Sequence, residues 1–418
     1  MKNDFLNVFE ERFSIKISLI LLLFFPVILL MGSAVINLSI VLINIFFLYH
    51  VVKKKKFKIF YNDIFYLLIA LWFFLILNTL LNDSFDNNFS RSFAFIRFIL
   101  LIFSISYFFS YKSFQYKKLI FKFWTLIFAV VTLDLIFEYF FGFNTLGFKS
   151  DFDGRLSGFM GDQLKIGHWY LCFSLIVLGN YFNQSNKFYF TLFLSIVVSF
   201  IIGERANFFR LFIAFSLLIF LIRLLSFKFW ILFIFSIFII YLLISSSNKT
   251  MNEAIKYRYF DQIYNVLKLD TFKEMNNNNA YTPMYFNAYD LFKKNKLLGV
   301  GVGSYLEKSH ENFRKNTTIN GYKLIPNTHP HQFHFEILAT LGLPGYILIS
   351  MFLLYFLFKS LRFYVKKKNI VNLTSFLFIL VFCIPLLPMG SFFTTYGASM
   401  FWLNFSLMNL GNFKNLDY

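Results

Sequence analysis

Three short segments of the chain could do chemistry. They are Arg155-Leu-Ser-Gly-Phe-Met-Gly-Asp162, Gly203-Glu-Arg205-Ala-Asn207 and Asn327-Thr-His329-Pro-His331-Gln-Phe-His334. An arginine fork holds a phosphate through two parallel hydrogen bonds and stays charged at any relevant pH. Arg155 and Arg205 are therefore candidates for binding an anion, and Arg210 lies further along and reads as structural. For each arginine alone, a side chain snorkelling from the bilayer is an equal reading.

Pro330 suits the first turn of a helix, which sets His329 near the N-cap and His331 just inside. The positive end of a helix favours a bound anion and disfavours a protonated imidazole. His331 is then expected to be neutral and able to accept a proton from a hydroxyl. A histidine in this place can also simply cap or hydrogen-bond the loop. His329, His331 and His334 invite a zinc reading, but a closed site needs further ligands, and Glu336 points elsewhere in the pattern. No metal or other cofactor is expected. Asp151 and Asp153 form a DxD pair that reads as solvated charge. Gly299-Val-Gly-Val-Gly303 lacks the flanking strand and helix of a dinucleotide site and reads as a tight turn.

A very apolar chain must position these groups. Of 418 residues, 58% are hydrophobic and 15% charged, whereas soluble domains carry about 45–50% and about 25%. With 66 phenylalanines and a mean hydropathy of +0.62, too little polar surface remains to cover a water-soluble globule. The chain reads as a polytopic membrane protein. That excludes a cytosolic enzyme, a nucleic-acid binder and a secreted disulfide scaffold. The net charge of +19 fits this reading. Lys53, Lys54, Lys55, Lys56 and Lys58 form one cluster, and Lys359, Arg362, Lys366, Lys367 and Lys368 form another. Both flank apolar spans, where cations set orientation and meet anionic lipid headgroups. Cys172 and Cys383 lie inside apolar runs and suggest no disulfide.

About 20 apolar residues cross the hydrocarbon core as a helix. Such runs place helices over 17–31, 33–52, 63–81, 92–110, 118–141, 166–181, 188–202, 206–224, 227–243, 332–358, 370–388 and 391–410, twelve in all. Residues 1–34 also resemble a signal peptide, but the next apolar run follows so closely that an uncleaved hairpin is preferred. With the N-terminus in the cytoplasm, the short cytoplasmic loops take both Lys clusters, Lys112 with Lys117, Lys187, and Arg223 with Lys228, and no Asp or Glu. The opposite side takes 82–91 with Asp83 and Asp86, 142–165, the Glu204 turn and one long loop, 245–331. The expected divisions are 1–244 (nine spans), 245–331 (a large periplasmic loop) and 332–418 (three spans and a short cytoplasmic tail). Within the loop, 257–267 reads as amphipathic, 276–279 as a polar break and 285–292 as helical.

Residues 330–345 resemble the His-containing motif of the O-antigen ligase and polymerase superfamily. The His331-to-Gly342 spacing is kept, with Gln332 in place of Ser or Asn and Phe335 in place of Leu. Lys296-Leu-Leu-Gly-Val-Gly-Val-Gly303 resembles the family's PllGvGxG segment, with Lys296 replacing Pro. Gly203-Glu-Arg205-Ala resembles its Ser-Arg-Gly turn, and Arg155-Leu-Ser-Gly158 with Gly161-Asp162 resembles the segment before its mid-chain span. One departure stands out. The family's second Arg, early in the large loop, falls near Tyr281, and Arg258 or Arg155 are the replacements at hand.

The resemblance implies an all-α, GT-C-type glycosyltransferase at the periplasmic face of the bacterial inner membrane, independent of metal and nucleotide sugar. Its donor would be a glycan on undecaprenyl diphosphate. Its acceptor would be lipid A-core for a ligase, or another lipid-linked glycan for a polymerase. His331 would be the catalytic base, and Arg205 and Arg155 would bind the diphosphate. His329, His334 and Arg258 would be acceptor or loop contacts. Ligase is preferred because the His motif and Gly turn follow its spacing, with the polymerase as alternative. A transporter or flippase is the rival from another class. It calls for titratable groups near the bilayer midplane, where Asp134 and Glu138 are the clearest acids.

Overall fold

The computed structural model describes residues 2–82, 85–110, 113–163, 165–222, 227–246, 249–261, 264, 274, 276–277, 281–385 and 387–410. Lys112, Arg223, Asp83, residues 262–263 and 265–267 of the 257–267 stretch and half of the 276–279 break lie outside them.

The apolar runs fold as helices in the expected order. They are α1 (Lys2–Leu23), α2 (Phe25–Leu30), α3 (Ser33–Lys53), α4 (Asp63–Leu81), α5 (Phe85–Ala94), α6 (Ile96–Ser110) and α7 (Ser113–Phe141). Then come α8 (Ile166–Tyr181), α9 (Ser185–Ile201), α10 (Arg205–Ile222) and α11 (Phe227–Ser246). The long loop contributes α12 (Lys249–Lys256), α13 (Thr282–Lys294), α14 (Tyr305–Lys315) and a small hairpin of β1 (Thr318–Ile319) with β2 (Tyr322–Lys323). The chain then forms α15 (Phe333–Lys367), α16 (Ile370–Phe382) and α17 (Thr395–Asn409). Six described stretches are long and apolar enough to cross a bilayer, with four shorter apolar helices beside them. This is a multi-pass membrane protein.

Helices apolar on every side belong in a core. Helices α6, α8, α16 and α17 are buried almost throughout and pack on one another, while α4 and α11 show large apolar side chains outward.

Where the helices break, other residues take up the freed backbone groups, as a bilayer interior demands. Pro26 has no N–H for the Leu22 carbonyl, and the Trp124 indole N–H fills it at 2.8 Å. In α15, Pro344 and Gly342 (φ 68°) kink the helix. Here the Gly299–Gly303 turn repairs the break. The Val300 and Gly301 N–H groups donate to the Ala339 and Thr340 carbonyls at 2.8 and 2.9 Å, and Leu343 N–H donates to the Lys296 carbonyl at 2.8 Å. A Cβ on Gly342 would lie 2.4 Å from the Leu297 oxygen, so only glycine permits this contact.

One difference from expectation matters for the site. The run over 370–388 stops being helical after Phe382, because Pro385 and Pro388 cannot continue it. The fully buried Arg210 covers the loose end. Its guanidinium donates to the carbonyls of Val381 (3.1 Å), Pro388 (2.7 Å) and Leu387 (2.9 Å), which makes it structural, as read.

Candidate active site

Two buried acids of α7 first pin down the 142–165 segment. Glu138 accepts from Ser157 N–H (2.7 Å), Ser157 Oγ (2.6 Å) and Gly158 N–H (2.7 Å), and Asp134 accepts from Thr145 N–H (2.9 Å) and Oγ1 (2.6 Å). The acids that a transporter would need are thus engaged in holding a loop.

That loop lies on the turn between α9 and α10. Leu156 N–H donates to the Ile202 carbonyl at 3.0 Å. Gly203 (φ 77°) passes so close that a Cβ there would sit 1.8 Å from the Gly154 oxygen. The contact places Arg155 beside Glu204, with Nη2 to Oε1 at 3.4 Å. A helical turn after α12, Tyr257–Asp261, adds the third arginine. Arg205 Nη1 donates to the Arg258 carbonyl at 2.6 Å, and Arg258 Nη2 donates to the Gly203 carbonyl at 3.1 Å. Burial, and then Arg155 and Arg205, hold the Arg258 guanidinium below its ordinary value. Three arginines therefore gather within electrostatic reach of one another, and Arg155 is paired with a carboxylate.

Burial by itself would raise the Glu204 carboxyl. His168, Arg155 and the Gly167 N–H more than offset this and hold it below the ordinary value. Glu204 accepts from Gly167 N–H at 3.0 Å and from the Asn207 amide at 2.5 Å, with His168 Nδ1 at 3.7 Å.

His331 lies within electrostatic reach of His168, and its place corrects the expectation. The N-cap of α15 is Gln332, whose side chain accepts from Phe335 N–H at 2.9 Å, so Pro330 and His331 precede the helix. His331 adopts φ 56°, a conformation that side chains with a Cβ seldom take. Its carbonyl accepts Met389 N–H at 2.6 Å. Its ring lies 4.0 Å from that of His329 and 5.7 Å, edge to face, from that of Tyr281. Burial first, then the nearby His168 and Lys165, bring His331 down to about 4. Burial, with His331 the next cause, brings His329 to about 3. The ring is neutral, and burial rather than a helix end is the main reason.

The other expected residues divide. Arg258 joins the arginine cluster. His334 does not face it, since Nε2 meets the Cys383 carbonyl at 2.8 Å and Nδ1 meets the Tyr346 hydroxyl at 3.1 Å. Asp151 and Asp153 are exposed. Among the described residues, no three His, Cys, Asp or Glu side chains are placed to share a metal. Sequence reasoning passed over His168 and Lys165. His168 opens an otherwise apolar helix, and an ionisable group at such a place is a signal in itself.

The bundle defines a polytopic membrane protein in which Tyr281 links the arginine cluster to the His331 ring. Residues 171–350 match the family model described as O-antigen ligase. The match bears out the resemblance to the O-antigen ligase and polymerase superfamily and indicates a membrane enzyme of that type. It covers the Arg205 turn, the Gly299–Gly303 turn and His331, and leaves Arg155 and His168 outside. No curated protein matches the chain.

Proposed function

We propose that the protein is a glycosyltransferase that moves a glycan from undecaprenyl diphosphate to a sugar hydroxyl of lipid A-core. One observation carries this reading: Arg155, Arg205 and Arg258 lie within electrostatic reach of one another, and Tyr281, within reach of Arg205 and Arg258, packs edge-on to a neutral His331. The arginines suit a diphosphate, whose negative charge grows as it departs. In one displacement the acceptor oxygen bonds to the anomeric carbon, and the bond from that carbon to the phosphate oxygen breaks. The electron pair leaves with the diphosphate, the acceptor proton passes to His331, and the anomeric centre inverts. No metal or nucleotide sugar takes part. The lysine-rich short loops support cytoplasmic termini, with the pocket at the periplasmic face of the inner membrane.

The deciding experiment is the lipopolysaccharide profile of a deletion strain, with lipid-linked glycan assayed alongside. Bare lipid A-core with polymer stranded on the carrier is the expected result. Lipid A-core bearing a single repeat would instead make the enzyme a repeat-unit polymerase. Unchanged transfer to every glycan acceptor would overturn the enzyme reading.

A further inference from the structure

We propose that His168, backed by Glu204, is a positioning residue that sets the backbone of His331 for proton abstraction. The inference rests on the reaction proposed above.

The linkage runs through short backbone contacts. Gly390 N–H donates to His168 Nε2 at 3.1 Å. A backbone amide can only donate, so Nε2 supplies the lone pair of this contact. On the other edge of the ring, Nδ1 lies 3.0 Å from the Asn207 amide nitrogen and 3.7 Å from Glu204 Oε2, the oxygen that accepts from the same amide. One residue before Gly390, Met389 N–H donates to the His331 carbonyl and ties His331 in its left-handed conformation. The rest of the segment is fixed further out, with Arg210 on the 387 and 388 carbonyls and Glu336 on Ser391 Oγ and Phe392 N–H. The His168 side chain reaches its middle at Gly390.

The arrangement has a consequence for function. Arg155 and His168 address different oxygens of the same carboxylate, so the anion-binding arm and the base share one anchor. His168 acts through the backbone and need not touch the substrate.

The test uses the purified full-length protein in liposomes, with an undecaprenyl-diphosphate-linked glycan and lipid A-core. His168→Gln keeps an acceptor within reach of Gly390 N–H, and His168→Asn is chemically alike but too short. The Asn variant should lose about 100-fold in kcat with donor KM little changed, since small misplacements cost this much, and the Gln variant should recover most of it. Diethyl pyrocarbonate labelling of His331, read by mass spectrometry, supplies a readout independent of transfer. Labelling should change about 5-fold or more in the Asn variant alone. Wild-type kcat in His168→Asn, or equal loss in both variants with a matching fall in Tm, overturns the positioning role. If the wild type transfers nothing, the proposed reaction fails and labelling alone decides: an unchanged His331 in His168→Asn then overturns the inference.

Discussion

Arg205 and Arg258 are tied to each other through the backbone. Arg205 donates to the Arg258 carbonyl at 2.6 Å, and Arg258 donates to the carbonyl of Gly203, two residues before Arg205. Each guanidinium spends an N–H on the turn that carries the other, which holds two like charges near each other. Arg155 joins them, within electrostatic reach of both and paired with Glu204 at 3.4 Å, and three guanidinium groups so gathered suit a bound anion.

Removing one of these cations should weaken donor binding. A charge-assisted hydrogen bond contributes about 1.5–3 kcal/mol, so Arg258→Ala is expected to raise donor KM by roughly 10- to 100-fold. Arg258→Lys should recover little, because an ammonium cannot hold the Gly203 carbonyl and a phosphate in one planar fork. Donor titration of the two variants is the check, and an unaltered KM would remove Arg258 from the site.

The pH dependence follows from His331. Burial lowers it from 6.5 to about 4, so between those values an unfolded chain binds a proton that the folded one does not. Folded-state stability therefore falls as pH drops through that window and is unaffected above it. The neutral base persists well below pH 6.5. The acid limb of kcat/KM should lie nearer pH 4–5, and a limb centred on 6.5 would mean that the ring is solvated during catalysis.

Gly203→Ala tests the seam between the Arg155 loop and the Arg205 turn. A left-handed conformation costs a residue with a Cβ about 1–2 kcal/mol, before any displacement of the Gly154 backbone 1.8 Å away. Lower Tm together with loss of transfer is expected. Normal Tm and activity would show that the loop does not need this contact.

Much of this arrangement could be read from residue types. The starts of α3, α4, α8 and α11 fall where the apolar runs begin; at α4, Asn62 caps the helix by accepting from Phe65 N–H at 3.0 Å. Other features depend on partners distant in sequence. The polar helix α14 escapes a search for apolar runs. The end of α16 is decided by two prolines and by Arg210, 171 residues before Val381. The grouping of Arg155, Arg205 and Arg258 needed the close approach of Gly154 and Gly203, which no local pattern announces. Pro330 has the character of a first-turn residue and points to His331 inside the helix, whereas the Gln332 side chain makes the cap.

The departure at Tyr281 leads to the sharpest test of the cluster. Superfamily members supply an arginine near this position, whereas here a tyrosine packs edge-on to His331, 5.7 Å between rings. Tyr281 also lies within electrostatic reach of Arg205 and Arg258. A guanidinium at 281 would therefore enter the pocket from the α13 side, whereas Arg258 enters from the turn after α12. If the two positions serve one anion, the loss in Arg258→Ala should be partly repaired by adding Tyr281→Arg. The double variant should regain about 1 kcal/mol or more of the lost donor binding, read as a non-additive double-mutant cycle in donor KM. Tyr281→Arg alone should bring little, because three cations already occupy the site. Strict additivity would mean that the two positions face different groups, and Arg258 would then serve the loop rather than the donor.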